Sequence, residues 1–264
     1  PWDIFLLNEK VLKGQYRLLT HGKRSAPLSS TNTLRGRSNI FIEEGAKVEC
    51  SVINAETGPV YIGKNAEVME GCLIRGPFAL CDNGILKMGA KVYGATTIGP
   101  HSKVGGEISN SVIFGFSNKA HDGFLGNSVV GEWCNLGADT NNSNLKNNYS
   151  QVKIWNYSKN EYVNSGQVFC GLFMGDHSKA AINTMFNTGT VVGVNSNIFG
   201  SGFPPKFILS FSWGGFENSQ KFELERALEL AGSVFDRRGI EFDHVEKRIL
   251  EHVFQLTEST EPSN

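Results

Sequence analysis

The chain has 264 residues and a formal net charge of −1 at pH 7, which suits one large domain with appendages and offers nucleic acid or an anionic membrane no electrostatic attraction. No apolar run approaches the roughly 18 residues of a membrane span, and no signal-peptide pattern is visible. Five cysteines, an odd number without metal-type spacing, read as reduced thiols of a cytoplasmic protein.

Residues 1–39 carry no repeat. Ile4, Leu7, Val11 and Leu12 fit a short helix, and Leu18 and Leu19 precede a basic, Ser/Thr-rich connector from His21 to Arg37. Opening at Pro1, this zone reads as a linker from a preceding domain, with Trp2, Phe5 and Leu6 as its apolar face. About forty residues are too few for a nucleotide-binding domain of their own.

A six-residue beat dominates the next zone, 40–202. Ile62-Gly63-Lys64-Asn65-Ala66-Glu67 is followed by Val68-Met69-Glu70-Gly71-Cys72-Leu73; Val92-Tyr93-Gly94-Ala95-Thr96-Thr97 and Ile98-Gly99-Pro100-His101-Ser102-Lys103 continue it. A hexapeptide period is the signature of a β-helix, in which each short strand turns an aliphatic residue inward. The beat breaks at Ala55–Gly58, around Gly105-Gly106, and between Asn141 and Gln167. In that last break the alternation from Val152 to Val163, with Trp155, Tyr157 and Tyr162, predicts a projecting hairpin. His101 and His177, each in a Gly-x-His-Ser-Lys turn, read as corner residues.

Past Gly202-Phe203-Pro204-Pro205 the period becomes helical, and 203–264 reads as a C-terminal extension. Leu224, Ala227, Leu228, Ala231 and Phe235 share one helix face. Asp243 and Glu246 have capping-box spacing before a second helix with a Val245, Ile249, Val253 stripe. From Thr257 the tail is polar and reads as disordered.

One segment departs from the beat in a way that suits chemistry. It holds Glu107, then Lys119-Ala120-His121 and Leu125-Gly126, then Asn135-Leu136-Gly137-Ala138, with Asn144 beyond. With Gly76-Pro77-Phe78-Ala79 upstream, these motifs and their spacing resemble the C-terminal acetyltransferase domain of the bifunctional glucosamine-1-phosphate N-acetyltransferase/N-acetylglucosamine-1-phosphate uridyltransferase family. The resemblance runs from about Ile42 to Gly202. The hairpin and closing helices look like the branch of that family found in Bacteroidetes-type bacteria.

The resemblance implies an all-β, left-handed parallel β-helix with an N-terminal linker helix, an inserted hairpin and two C-terminal helices. It also implies a homotrimer, acetyl-CoA as co-substrate and an amino-sugar phosphate as acceptor. By the same resemblance His121 is the general base, Glu107 orients it, Asn135 holds the sugar or the imidazole, and Asn144 reaches the sugar. The Ala138 N–H would donate to the thioester oxygen, with Ala181 and Phe199 lining the pantetheine channel. A histidine suits the base because its ordinary pKa lies near neutrality.

Three phosphate contacts of the family are missing: its Arg falls at Asp82, its Lys at Ser109, and its Tyr at Phe124. Arg75, Lys119, Lys146 and Lys153 stand as substitutes, because a sugar phosphate needs fixed cations or N–H donors. A competing reading makes the β-helix a non-catalytic oligomerisation or regulatory part of a sugar-1-phosphate nucleotidyltransferase, whose Mg²⁺ site would lie in the preceding domain. A zinc carbonic anhydrase on this scaffold would need a histidine pattern that His101, His121 and His177 do not supply, so no catalytic metal is expected.

Overall fold

The hexads fold as strands of two or three residues, each ending at a tight corner, and the chain passes through three sheets in turn. The computed structural model describes residues 1–215 and 219–258. Sheet A stacks parallel strands from Thr33–Arg35 to Phe124–Gly126, and sheet B from Ile40–Ile42 to Phe207–Ile208. Sheet C runs in parallel from Lys47–Val48 to Ser212–Gly214 and is closed by antiparallel Gln220–Lys221. This is the parallel β-helix expected of the repeats, with the left hand that the family resemblance implies. The parallel ladder is wider than the 40–202 zone, because Thr33–Arg35, Phe207–Ile208 and Ser212–Gly214 pair although they carry no clear hexad.

Inward side chains form columns down the axis. On sheet C the column includes Val48, Val68, Leu86, Val104, Leu136, Ala180 and Ile198; on sheet A it includes Ile53, Ile74, Val92, Ile108 and Leu125; all are buried. Burying a large aliphatic side chain contributes about 1.5–3 kcal/mol, so the stacked columns are the main favourable term. At one place sheet A's backbone ladder is interrupted. The Phe124 and Gly126 N–H groups donate to the side-chain oxygens of Asn141 and Asn142, at 2.7 and 2.9 Å, and the face resumes as the pair Asn141–Asn142 and Met185–Phe186.

The corner from sheet B to sheet C explains where the C-terminal helices sit. Asn65, Asn83, His101, Phe116, Trp133, His177, Asn195 and Phe211 all take left-handed backbone there, with φ between 53° and 60°. Asparagine tolerates this conformation; bulky side chains are strained in it. Stacking offsets the strain, with His101 on Phe116 at 4.8 Å and Phe116 on Trp133 at 4.2 Å between ring centroids. Helix α3 (Leu224–Asp236) sets Phe235 against Trp133 at 4.0 Å, and buries Ala227 and Ala231 beside it. His101 and His177 are corner residues, as their turn pattern implies.

Helix α4 (His244–Glu258) is capped as expected, since the Asp243 carboxylate accepts from the Val245 and Glu246 N–H groups at 2.8 and 3.0 Å. Its buried face differs from the expected stripe: Leu250 is buried with Val253 and Phe254 packed beside it, whereas Val245 and Ile249 are about half exposed. Thr257 and Glu258 belong to this helix, and the rest of the expected disordered tail lies outside the described residues.

The N-terminal zone also departs from expectation. Helices α1 (Asp3–Leu6) and α2 (Asn8–Thr20) bury Phe5, Asn8 and Leu12, and leave Ile4, Leu7 and Val11 exposed. Asn8 docks the helix on sheet B, donating to the Ala95 carbonyl at 2.9 Å and accepting from the Thr97 hydroxyl at 2.9 Å. A polar residue on the buried face defeats a count of apolar spacing. Trp2 and Phe5 pack against Val152, Ile154 and Phe173. The predicted hairpin is present, Lys153–Asn156 against Glu161–Asn164, with Trp155 stacked on Phe207 at 4.3 Å.

Candidate active site

Glu107, Phe124 and Tyr93 share the outer side of sheet A. Glu107 lies in register between Lys91 and Phe124, and Tyr93 lies beside Ser109. The Tyr93 hydroxyl donates to Glu107 Oε1 at 2.5 Å. That bond, with burial and the carboxylate's charge behind it, raises the Tyr93 pKa. The other Glu107 oxygen has no partner among the described residues. Gly126 lets the next groups approach, because a Cβ there would run into the Phe124 ring and come within 2.8 Å of the Asn144 amide nitrogen. Asn144 itself donates to the Asn127 side-chain oxygen at 2.8 Å.

His121 stands at the corner from sheet C to sheet A, exposed to solvent. Its side chain makes no hydrogen bond among the described residues, so it is not bonded to Glu107. The corner is nevertheless tied to Glu107 through the backbone: the Glu107 N–H donates to the Gly123 carbonyl at 3.2 Å. One coil further on, the corner Gly137–Thr140 stacks on it, and the Asp139 N–H donates to the Asp122 carbonyl at 3.0 Å. Within that corner the Ala138 N–H has no acceptor among the described residues and is partly exposed. Ala181 begins the following corner, but its own N–H is taken by the Ile198 carbonyl at 2.8 Å. Phe199 is further along, half exposed and packed edge-on to Trp213 at 5.6 Å.

Asn135 lies round the corner on sheet C, where its side-chain oxygen accepts from the Asn118 amide at 2.9 Å. Asn118 Oδ1 is buried without a partner among the described residues. The arrangement therefore wraps an edge: Asn118 and Asn135 on sheet C, His121 and Ala138 at the corner, Glu107 and Tyr93 on sheet A.

The four expected phosphate substitutes separate. Arg75 is exposed on sheet A, two coils before Glu107. Lys119 is a correction: it is 2% exposed, and its ammonium donates inside the solenoid to the Gly105 and His121 carbonyls. Lys146 closes the insertion loop by donating to the Gln151 carbonyl at 2.9 Å, and Lys153 is on the hairpin. Neither makes a polar contact with the Glu107 face among the described residues. Lys91 is the cation missing from the sequence reading; it is exposed and in register with Glu107. Strand pairing reveals it, because the shortened Gly105-Gly106 corner sets Lys91 and Glu107 two residues closer in sequence than the three hexads of a regular coil. Among the described residues no three His, Cys, Asp or Glu side chains are grouped as metal ligands would be.

Three parallel sheets built from hexads, with polar groups gathered at one edge, define a hexapeptide β-helix. No family model matches the chain. It is 30% identical over 208 residues to the bifunctional protein GlmU of Methanococcus vannielii, a match covering 75% of this chain and 41% of that protein. It is 28% identical over 144 residues to a bifunctional sugar-1-phosphate nucleotidylyltransferase/acetyltransferase of Sulfurisphaera tokodaii, covering 54% of this chain and 35% of the relative. The chain is thus a homologue of the bifunctional sugar-1-phosphate nucleotidyltransferase/acetyltransferases, and it spans well under half the length of these curated relatives. A solved UDP-N-acetylglucosamine acyltransferase from Campylobacter jejuni overlaps 88% of this chain and 82% of its own at 14% identity, with a TM-score of 0.34, too distant to bear on activity.

Proposed function

We propose that this chain transfers the acetyl group of acetyl-CoA to the amine of an amino-sugar phosphate, with glucosamine-1-phosphate as the acceptor. The observation that carries this reading is the stacking of two corners, which sets the free Ala138 N–H one coil from His121. Neighbouring strands are about 4.8 Å apart, so one small acyl group can reach both. In the reaction the amine nitrogen attacks the thioester carbonyl carbon. The C–N bond forms, the C–S bond breaks, and coenzyme A leaves as the thiolate that takes up a proton. His121 accepts the proton lost by the nitrogen, and the Ala138 N–H hydrogen-bonds the oxygen on which negative charge develops.

Glu107 keeps one carboxylate oxygen for the imidazole, while Tyr93 holds the other. Contacts of this kind are commonly loose before substrate enters and tighten in the complex. Asn135 and Asn144 flank the acceptor from the two faces. Arg75 and Lys91, exposed on the Glu107 face and without an ion-pair partner among the described residues, supply the charge for the phosphate. Ala181 and Phe199 continue along the corner as a path for pantetheine. The reading extends to a trimer whose site lies between neighbours, and to a parent protein with a Mg²⁺-dependent nucleotidyltransferase.

The test is a mass-resolved assay of the chain with acetyl-CoA, offering glucosamine-1-phosphate and unphosphorylated glucosamine in parallel. Acetylation of the phosphate ester, with at least tenfold preference over the free sugar, is expected. Failure to acetylate either would favour the non-catalytic β-helix, and equal use of both would remove the phosphate role given to Arg75 and Lys91.

A further inference from the structure

Lys119 occupies a place where the coils on either side put an aliphatic or alanine side chain. It pairs with Val104 in the coil before, in the column that continues with Leu136 and Ala180. A charged ammonium in such a column is costly unless its hydrogen bonds are met. Among the described residues it has two acceptors, the Gly105 carbonyl at 3.2 Å and the His121 carbonyl at 2.8 Å. Burial pushes the amine down to about 8, against the charges of Asp122 and Asp139.

The corner beneath explains the space. Between the inward residues Val104 and Ile108 the turn is only Gly105-Gly106-Glu107, where the neighbouring turn from Lys119 to Leu125 is two residues longer. A Cβ on Gly105 would come 2.5 Å from the Ala120 carbonyl oxygen, and one on Gly106, at φ +78°, would come 2.7 Å from the Gly123 oxygen. The shortened corner must be two glycines, and the Lys119 amine fills the edge above it.

The corner bearing His121 also lacks a backbone bond of its own. Lys87–Ala90, Gly99–Ser102 and Gly137–Thr140 are each closed by an N–H to carbonyl bond across the turn, at 3.1, 3.3 and 3.2 Å. Ala120–Gly123 has none among the described residues. Its carbonyls are held from outside, at Asp122 by Asp139, at Gly123 by Glu107, and at His121 by Lys119 alone.

We propose that Lys119 is a positioning residue for His121: its ammonium, held inside the solenoid, draws the His121 and Gly105 carbonyls together and fixes where the imidazole stands. The proposal rests on the acetyltransferase reading for its effect on rate, and on geometry alone for its effect on His121.

The test is Lys119→Met, which fills the column with an unbranched apolar chain and removes both hydrogen bonds. Acetyl transfer is expected to fall about 10- to 100-fold in kcat, the size of a small misplacement of a reacting group. The KM for acetyl-CoA should stay within about threefold, because the Ala138 corner keeps its own closing bond. The His121 imidazole signal, assigned by its loss in His121→Gln, should broaden or split in Lys119→Met while the thermal melt remains cooperative. A folded variant with unchanged kcat and an unchanged imidazole signal overturns the proposal. If the wild-type chain transfers no acetyl group, the imidazole signal still decides it, and only the functional reading falls. If Lys119→Met does not fold, ¹⁵N-lysine spectra of the wild type decide it. An ammonium protected from exchange and coupled to the His121 carbonyl supports the proposal, and a freely exchanging one overturns it.

Discussion

His121→Ala is expected to lower kcat for acetyl transfer about 100- to 10,000-fold, the usual range for loss of a general base. Stability should change by no more than about 0.5 kcal/mol, as for surface substitutions away from special features. Both expectations come from the same facts. The imidazole is exposed and makes no side-chain hydrogen bond among the described residues, so the fold does not depend on it. On the proposed mechanism it supplies a proton acceptor beside the Glu107 face and one coil from the Ala138 N–H. Glu107→Ala should cost less, because on that mechanism the carboxylate only orients the base, and the Tyr93 residue bonded to it is partly exposed. Near-wild-type turnover by His121→Ala, with the same pH dependence, would remove the base from this mechanism.

The second large effect is on acid stability, and it arises at the corner from sheet B to sheet C. His177 is 4% exposed between Trp133 and Phe235, and its Nδ1 has no partner among the described residues. Burial, helped by the charge of Lys179, pushes its pKa from 6.5 down to about 4. Unfolded, the imidazole takes up a proton below 6.5; folded, it does so only below about 4. In that window the unfolded chain binds the extra proton, so stability falls as pH drops from 6.5 to 4, by roughly 3 kcal/mol in all. Glu132 and Asp176 nearby have pKa values raised first by burial. They hold protons more readily when folded, and so offset part of the loss at the acid end of the window. His177→Asn suits the left-handed backbone at φ 60° and should flatten the profile, whatever it costs at pH 8 in lost ring stacking. Denaturant midpoints at pH 8, 6 and 5 measure this; parallel profiles for wild type and variant would show that His177 does not set the slope.

The central coils are legible because their chemistry repeats. An aliphatic residue every sixth place is buried by a three-sided coil, and many of the corners that need positive φ are filled by Gly, Asn and Asp. The outer coils are hidden because pairing, and not pattern, defines them: Thr33–Arg35 joins sheet A with only Leu34 partly packed on the core. The N-terminal helix misleads because Asn8, a polar residue, is its anchor. Around the site, the motifs single out Glu107, His121 and Ala138, but the direction of a side chain follows from register. Asn118-Lys119 aligns with Lys103-Val104 and with Asn135-Leu136, which puts Lys119 at the inward place. That alignment was available in the sequence; the expectation that a lysine seeks solvent or phosphate obscures it. Lys91 and Tyr93 were out of reach, since only the stacking of coils sets them beside Glu107.

On the proposed mechanism acetyl-CoA and an amino-sugar phosphate meet at the edge between sheets C and A. A structure of the chain with coenzyme A and glucosamine-1-phosphate tests it most directly. The predicted result has the sugar nitrogen within about 3.2 Å of the His121 imidazole and the thiol end of coenzyme A at the Ala138 N–H. Coenzyme A bound away from the Ala138 corner, or a sugar that leaves His121 facing solvent, would contradict it.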